Sequence, residues 1–282
     1  MGRLGRGWAL TRESWAVVRN DRSLLAFPVV AGVCALVAAG AIVAVGALAA
    51  GGTDWILIVF AVVALYVVIA IGQFCAVALA ACATKSLDGA DTTFSEGISA
   101  ARERLGAILA WSGVQLVVGS LISALQALLR DAGGGIAAAI IGGLANLAWT
   151  VATFFVVPLI ALEGLGPKAA ISRSSKLIRE RWGEGVVGTA TIGGAVFLVG
   201  ILPGIGLAVL GWVLIDSVAA LGVALIVLGV CVVVLALLLQ ATLSAVFRVA
   251  LFRFATRGHV AGQFSEEQLT AAFRPKRGAA MV

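Results

Sequence analysis

Residues 218–247 read VAALGVALIVLGVCVVVLALLLQATLSAVF and contain no charged side chain. As a helix, this run would be about 45 Å long, whereas the hydrocarbon core of a bilayer is about 30 Å thick. Five further apolar runs precede it, at Leu24–Ala50, Trp55–Thr84, Leu105–Leu129, Gly135–Leu162 and Val186–Ile215. Each run exceeds the roughly 20 residues that cross hydrocarbon. The sequence therefore predicts an all-α, polytopic membrane protein with a bundle of six transmembrane helices.

Composition supports a membrane protein over a soluble one. Of the 282 residues, 61% are hydrophobic and 12% are charged, whereas soluble domains carry about 25% charged residues. Arginines precede the first apolar run, as they would in a secretory signal. That run is much longer than a signal h-region of about 7–15 residues, so we expect it to remain as a membrane helix.

The basic residues predict the orientation of the chain. All Lys and Arg residues except Arg130 fall before Leu24, in the stretches 85–104 and 164–185, or after residue 247. Because cytoplasmic loops carry an excess of Lys and Arg, both termini are expected in the cytoplasm of a bacterial cell whose plasma membrane the chain crosses. This predicts a cytoplasmic amphipathic segment at 1–23, a transmembrane domain at 24–253 and a cytoplasmic tail at 254–282.

The chain also contains an internal repeat. Each repeat is a short basic amphipathic helix followed by a helical hairpin, and the membrane parts begin near Leu24, Leu105 and Val186, about 81 residues apart. The tail resembles the amphipathic piece alone, because Phe264-Ser265-Glu266 echoes Phe94-Ser95-Glu96. A capping box of Ser265 with Gln268 predicts a short helix over 266–273.

Two groups of polar residues are candidate sites. The first is a set of lipid-headgroup contacts in the third amphipathic segment, namely Arg173, Lys176, Arg179 and Arg181. The second is a polar cluster at the cytoplasmic mouth of the bundle, namely Glu163, Gln240, Ser244 and Arg248. The last three recur every four residues and so share one helical stripe. Glu163 and Arg248 either pair and close a headgroup-binding cavity or remain two separate interfacial charges.

Other polar and small residues have both a packing and a functional interpretation. Gly200 and Gly204 form a GxxxG motif beside Pro203, which indicates either close helix packing or a hinge. Five residues of the third helix predict either interhelical hydrogen bonds or a polar path: Ser112, Gln115, Gly119, Ser123 and Gln126. The tryptophans near the predicted membrane boundaries are typical of interfacial anchors, and cofactor stacking is the alternative: Trp8, Trp15, Trp55, Trp111, Trp182 and Trp212.

We expect no catalytic, cofactor-binding or metal-binding residues. The single histidine, His259, has no neighbouring ligand residue, and Cys34, Cys75, Cys82 and Cys231 lie in apolar runs without CxxC spacing. They are interpreted as small buried hydrophobes. Gly204-Ile205-Gly206 lacks the pattern of a nucleotide-binding loop. Since the basic residues flank membrane helices, the expected partners are anionic lipid headgroups of the cytoplasmic leaflet, not nucleic acid, with a protein partner as a further possibility.

The opening residues 7–15, GWALTRESW, and the following NDRSL at 20–24 carry a resemblance. With the repeat, they resemble a family of uncharacterised six-span bacterial membrane proteins and, more distantly, the membrane domain attached to some glycerophosphoryl diester phosphodiesterases. The resemblance covers nearly the whole chain and is mostly architectural. It implies a membrane domain without the hydrolytic domain of those enzymes, whose metal-binding acids and histidines this chain lacks.

Three classes of function remain open. The first is a non-enzymatic protein that binds or organises lipid, or serves as the membrane subunit of a partner. The second is a transporter of small molecules or lipids, which the internal repeat supports. The third is an enzyme, for which the sequence contains no motif.

Overall fold

The computed structural model describes residues 21–51, 53–181, 193–194 and 196–257, and every regular element in these ranges is helical. The α-helices that lie wholly within them are α1 (Ala26–Ala50), α2 (Asp54–Leu87), α3 (Phe94–Glu103), α4 (Leu105–Asp131), α5 (Gly135–Ala152), α6 (Val156–Pro158), α7 (Pro167–Arg181), α8 (Leu202–Leu214) and α9 (Ala219–Arg257). A 3₁₀-helix, Arg22–Leu25, precedes α1. Two π-helices, Leu159–Glu163 and Phe197–Ile201, lie between α6 and α7 and before α8.

Six helical stretches of this described part are long and apolar enough to cross a membrane. They are Ser23–Ala50, Asp54–Leu87, Leu105–Asp131, Gly135–Glu163, Phe197–Leu214 and Ala219–Thr256, called below the first to sixth spans. Their large apolar side chains are widely exposed, for example Leu48 at 86% and Ile136 at 81%. Exposing apolar surface to water costs a free energy of about 25 cal/mol per Å². Contact with lipid avoids this cost, because lipid is itself apolar. The prediction of six helices that are long and apolar enough to span a membrane is confirmed, and these are the properties of a multi-pass membrane protein.

Several predicted features lie outside the described residues. They are the amphipathic segment up to residue 20 with Trp8 and Trp15, then Trp182 and the start of the fifth predicted run, and finally His259 and the short helix over 266–273.

The described chain forms two compact units. Of the described residues, the first contains 21–25, 86–91 and those from 193 to 257, and the second contains those from 26 to 85 and from 92 to 181. Each unit has its own packing.

In the first unit, α8 and α9 pack through glycines. A Cβ built on Gly211 would lie 2.5 Å from the carbonyl oxygen of Gly222, and one built on Gly229 would lie 2.5 Å from that of Gly204. Since the partner number falls as the residue number rises, the two helices run antiparallel. Their backbones approach this closely only because no side chain lies between them. This geometry supports the packing interpretation of the GxxxG motif.

The sixth span is longer than its apolar run, because α9 continues to Arg257. Between Thr242 and Phe252 every residue except Ala245 and Arg248 is buried. A helix that is buried on all sides is surrounded by protein. The end of α9 that carries the basic residues is therefore part of a protein core, whereas most of its first half is exposed.

In the second unit, the short helix α3 packs against α1 and α2. The rings of Phe94 and Phe27 stack with their centroids 4.7 Å apart. A Cβ on Gly97 would collide with Phe27 and would lie 2.8 Å from the sulfur of Cys82. Glycine at position 97 thus allows α3 to lie close to the two spans.

Candidate functional site

The fourth span is broken between α5 and α6. Pro158 accounts for the position of the break, because proline has no N–H to donate to residue 154 and its ring would clash with the carbonyl there. α5 ends at Ala152, and Thr153 is its C-cap residue. The Oγ1 of Thr153 donates to the carbonyl oxygen of Trp149 at 2.7 Å. Phe154 and Phe155 form the turn that follows, and both are buried. A break inside an apolar span leaves backbone groups that need partners.

Two consecutive serines of α7 supply such partners. The backbone N–H of Phe155 donates to Ser174 Oγ at 3.1 Å, and Ser175 Oγ donates to the carbonyl oxygen of Ala152 at 3.5 Å. Ser174 is completely buried. The hydroxyls of α7 therefore replace helix hydrogen bonds that the break removes.

The residue before them, Arg173, binds the end of the same span. Its Nε lies 2.8 Å from Glu163 Oε2, and its Nη2 donates to Glu163 Oε1 at 3.0 Å. Such a two-pronged pair is stronger and more directional than a single contact. The π-helix ends at Gly164, whose φ of +67° suits glycine. We call Arg173, Ser174 and Ser175, with their partners Glu163, Phe155 and Ala152, the α7 clasp.

The opposite face of α7 is basic. Ala170 and Ser174 are fully buried, whereas Lys168, Lys176 and Arg179 are exposed. Among the predicted headgroup contacts, the structure therefore exposes Lys176 and Arg179 and places Arg173 in the clasp. The side chain of Arg181 lies outside the described part.

The predicted mouth cluster is distributed over the two units. Gln240, Ser244 and Arg248 lie on α9 in the first unit, and Ser244 is buried. Glu163 belongs to the second unit, where Arg173 is its partner. The pairing of Glu163 with Arg248 remains a prediction.

A polar network joins the second and third spans. Gln73 Nε2 donates to Gln115 Oε1 at 2.9 Å, and Trp111 Nε1 donates to Gln73 Oε1 at 3.2 Å. The rings of Trp111 and Trp149 stack with centroids 5.8 Å apart. Tyr66 donates to the carbonyl oxygen of Leu109. We call Gln73, Gln115 and Trp111 the amide network.

The amide network corrects one expectation and supports another. Trp111 was predicted as an interfacial anchor, but it is 1% exposed and packs inside the unit. Gln115 forms the interhelical hydrogen bond that the packing interpretation requires. Gln73 and Tyr66 were missed, although they are isolated polar residues seven positions apart in an apolar run. Such a spacing places them on one helical face.

Asp21 organises the start of the first span. Its Oδ1 accepts from the backbone N and the Oγ of Ser23, and its Oδ2 accepts from Ser86 Oγ at 2.7 Å. Two residues after Ser86, Asp88 forms an ion pair with Arg253 of α9 at 2.6 Å. The contacts of Asp21 give it and Ser23, both part of the NDRSL stretch, a structural role within the first unit.

The cysteines follow the prediction only in part. Cys75 and Cys82 are buried, but Cys34 on α1 and Cys231 on α9 are exposed. The helix surfaces that carry the last two are apolar and not covered by this chain, which is why an apolar sequence context did not imply burial. Over the described ranges, no three His, Cys, Asp or Glu side chains are grouped so as to hold a metal ion.

Comparison with known proteins identifies the family of the chain. No curated protein matches the chain. The model of DUF6159, a family of unknown function, matches residues 52–262, which include the amide network, the α7 clasp and α9. The chain therefore belongs to the DUF6159 family of unknown function.

Proposed function

We propose that this protein is a non-enzymatic membrane protein that binds anionic lipid headgroups at the cytoplasmic leaflet through the basic face of α7. The observation that carries the proposal is the orientation of this helix. Ala170 and Ser174 are buried against the unit, while Lys168, Lys176 and Arg179 are exposed. Each Lys or Arg near an anionic membrane surface contributes about 1 kcal/mol of attraction.

The position of α7 in the chain agrees with this role. It begins at Pro167, only a few residues after the fourth span ends at Glu163. A helix so close to the end of a span lies at the depth of the headgroups. These headgroups belong to the cytoplasmic leaflet when the basic side of the protein is cytoplasmic. The charge asymmetry of the loops supports that orientation, with both termini in the cytoplasm.

The proposal includes a repeated architecture. The helices α3 and α7 each precede a pair of spans, and each has buried small residues on one face and exposed charges on the other. In α3 the buried residues are Gly97 and Ala101, and the exposed ones are Arg102 and Glu103. We infer that short amphipathic helices form a charged cytoplasmic collar, in which α7 supplies the basic face and on which lipid or a protein partner is organised. The distant resemblance to phosphodiesterase membrane domains is compatible with such a role.

Lipid analysis of purified variants tests the proposal. We expect Lys176→Gln with Arg179→Gln, which leaves the clasp intact, to lower the share of phosphatidylglycerol and cardiolipin among co-purified lipids. The charge-conserving control is Lys176→Arg with Arg179→Lys, which should retain the native lipid share. An unchanged lipid profile in the glutamine variant would refute headgroup binding by α7. Added salt should reduce the difference between the variants, because salt screens exposed charges.

A transporter is the second candidate, and the broken fourth span is the observation that favours it. Discontinuous spans are common where transporters bind their substrates. Reconstitution into vesicles separates the two functions. Headgroup-dependent lipid transfer between leaflets would favour transport, whereas lipid retention without transfer would favour binding.

A further inference from the structure

We propose that the α7 clasp is a lipid-responsive latch: an anionic headgroup competes with Glu163 for Arg173 and, by displacing it, loosens the broken fourth span. This inference rests on the proposed function, because it assumes that anionic lipid reaches the basic face of α7. It adds a consequence of binding, namely a change in the conformation of a membrane span.

The contacts of the clasp are consecutive on one helix and converge on one span. Arg173 holds Glu163 at the end of the span, Ser174 holds the N–H of Phe155 in the break, and Ser175 holds the carbonyl of Ala152 before it. Because the three residues are adjacent on one helix, a shift of the α7 backbone that carries Arg173 away from Glu163 also moves the two hydroxyls. The ion pair at one end and the hydrogen bonds at the other are therefore mechanically linked.

The ion pair is accessible to a competitor, whereas the serine bond is not. The side chains of Arg173 and Glu163 are 48% and 30% exposed, while Ser174 and Phe155 are fully buried. A guanidinium binds phosphate and carboxylate with the same two-pronged geometry. Phosphate can thus replace the Glu163 carboxylate without loss of hydrogen bonds to Arg173. Repulsion between the displaced carboxylate and anionic lipid then keeps the pair open.

The neighbouring charges favour this exchange. On α7 itself, Lys168, Lys176 and Arg179 lie on the exposed surface and attract anionic lipid towards Arg173. From the facing elements, Arg104 lies against Gly164, where a Cβ would be 2.7 Å from its Nη1. A phosphate near Glu163 would therefore meet cationic groups from α7 and from Arg104, the residue between α3 and α4.

The Phe155 amide offers a direct measurement of the latch. Hydrogen–deuterium exchange of the segment 152–163 should be compared in nanodiscs of phosphatidylcholine and in nanodiscs that also contain phosphatidylglycerol. We expect exchange at this segment of the native protein to be about fivefold faster in the anionic nanodiscs, the size expected when one hydrogen bond is weakened.

Matched variants distinguish the latch from a general charge effect. Arg173→Gln and Glu163→Gln both break the ion pair, so exchange should be fast in both lipids. Arg130→Gln removes the same charge as Arg173→Gln at an exposed position outside both the clasp and the basic face of α7, and should behave like the native protein. Ser174→Ala should exchange fast in both lipids, whereas Ser172→Ala, an exposed position on the same helix, should not. If the glutamine variants fail to fold, Arg173→Lys takes their place in the test, because it retains the charge and is the mildest change. Its exchange rate should be intermediate.

Native mass spectrometry of the same samples separates the two proposals. If phosphatidylglycerol binds but exchange at 152–163 is equal in the two lipids, the latch is refuted and headgroup binding stands. If phosphatidylglycerol does not bind in preference to phosphatidylcholine, the proposed function fails and the lipid response fails with it. Faster exchange in Arg130→Gln, equal to that in Arg173→Gln, would also refute the latch.

Discussion

Glu96 is held on α3 by contacts on both of its carboxylate oxygens. Lys85 lies 2.7 Å from Oε2, and Thr93, the N-cap of the helix, donates to Oε1. The backbone N–H of Glu96 in turn donates to Thr93 Oγ1, which is the N-cap half of a capping box. The hydrogen bond from Lys85, that from Thr93 and the charge of Lys85 lower the pKa of Glu96.

The lowered pKa of Glu96 predicts a pH dependence of stability. A carboxylate whose pKa is lower in the folded state contributes stability above its unfolded pKa and loses it as pH falls through the folded pKa. We expect Glu96→Gln to lower the apparent melting temperature at neutral pH. The decrease should be slight, because the ion pair is exposed and solvent screens it. The difference from the native protein should vanish in acid.

Thermal unfolding in detergent across a pH series measures this effect. The control is Glu103→Gln, which removes the same charge from the same helix and touches no ion pair among the residues that the structure describes. A difference between native protein and Glu96→Gln that persists unchanged into acid would contradict the assignment.

The amide network is the second contact to test at the level of single residues. Gln73→Leu removes the acceptor of Trp111 and leaves Gln115 without its donor. Hydrogen bonds between membrane helices contribute about 0.6–2 kcal/mol, so each of Gln73→Leu and Gln115→Leu should destabilise by about that amount. The double variant should be less destabilised than the sum, with a coupling of about 1 kcal/mol. Denaturant titration of the purified protein measures the cycle, and strictly additive changes would show that the two amides do not interact.

Among the helices, the antiparallel pair α8 and α9 depends on two glycine contacts. Gly204 faces Gly229 and Gly211 faces Gly222, seven residues further along each helix. That spacing returns a side chain to the same helical face after about two turns. The pair is therefore joined along one seam in which the backbones themselves are in contact.

A single methyl group should separate α8 from α9. We expect Gly211→Ala to destabilise the protein by about 1–3 kcal/mol, as overpacking does, because its Cβ would meet the backbone of Gly222 and Ile226. Gly206→Ala is the matched control on the same helix, where a Cβ would meet nothing within 4 Å. It should be neutral or stabilising, since alanine favours helices. Equal melting temperatures for the two variants would contradict the seam.

At the scale of the whole protein, the proposed orientation can be tested by chemical labelling. In a background without the native cysteines, single cysteines at Asp54, Asp131 and Asp216 should react with an impermeant maleimide on intact cells. A cysteine at Ser172 should react only after permeabilisation. Ser172 is preferable to Ser174 as the inner position, because Ser174 is buried and would react poorly on either side. Labelling of Ser172 on intact cells would overturn the orientation and, with it, headgroup binding at the cytoplasmic leaflet.

Length, apolar runs and charge distribution were sufficient to predict a six-span helical protein. These features act through the bilayer, which requires about 20 apolar residues per span and backbone groups that are paired within each helix. Both requirements apply to continuous segments of sequence, so both can be read without knowledge of the fold. The small-residue motif at Gly200 and Gly204 could likewise be recognised within one helix as a candidate packing surface. The sequence did not show which helix would pack against it.

The clasp, the amide network and the buried end of α9 depended on the folded chain. Ser174 bonds Phe155 across 19 positions, and Gln73 bonds Gln115 across 42. The packing of the helices determines which polar groups form hydrogen bonds over such separations. Pairing is favoured, because an unpaired polar group in an apolar interior costs free energy. Arg173 resembled a lipid contact in sequence because its charge lies in a basic segment. In the folded protein it binds Glu163, because the end of the fourth span brings a carboxylate to the flank of α7.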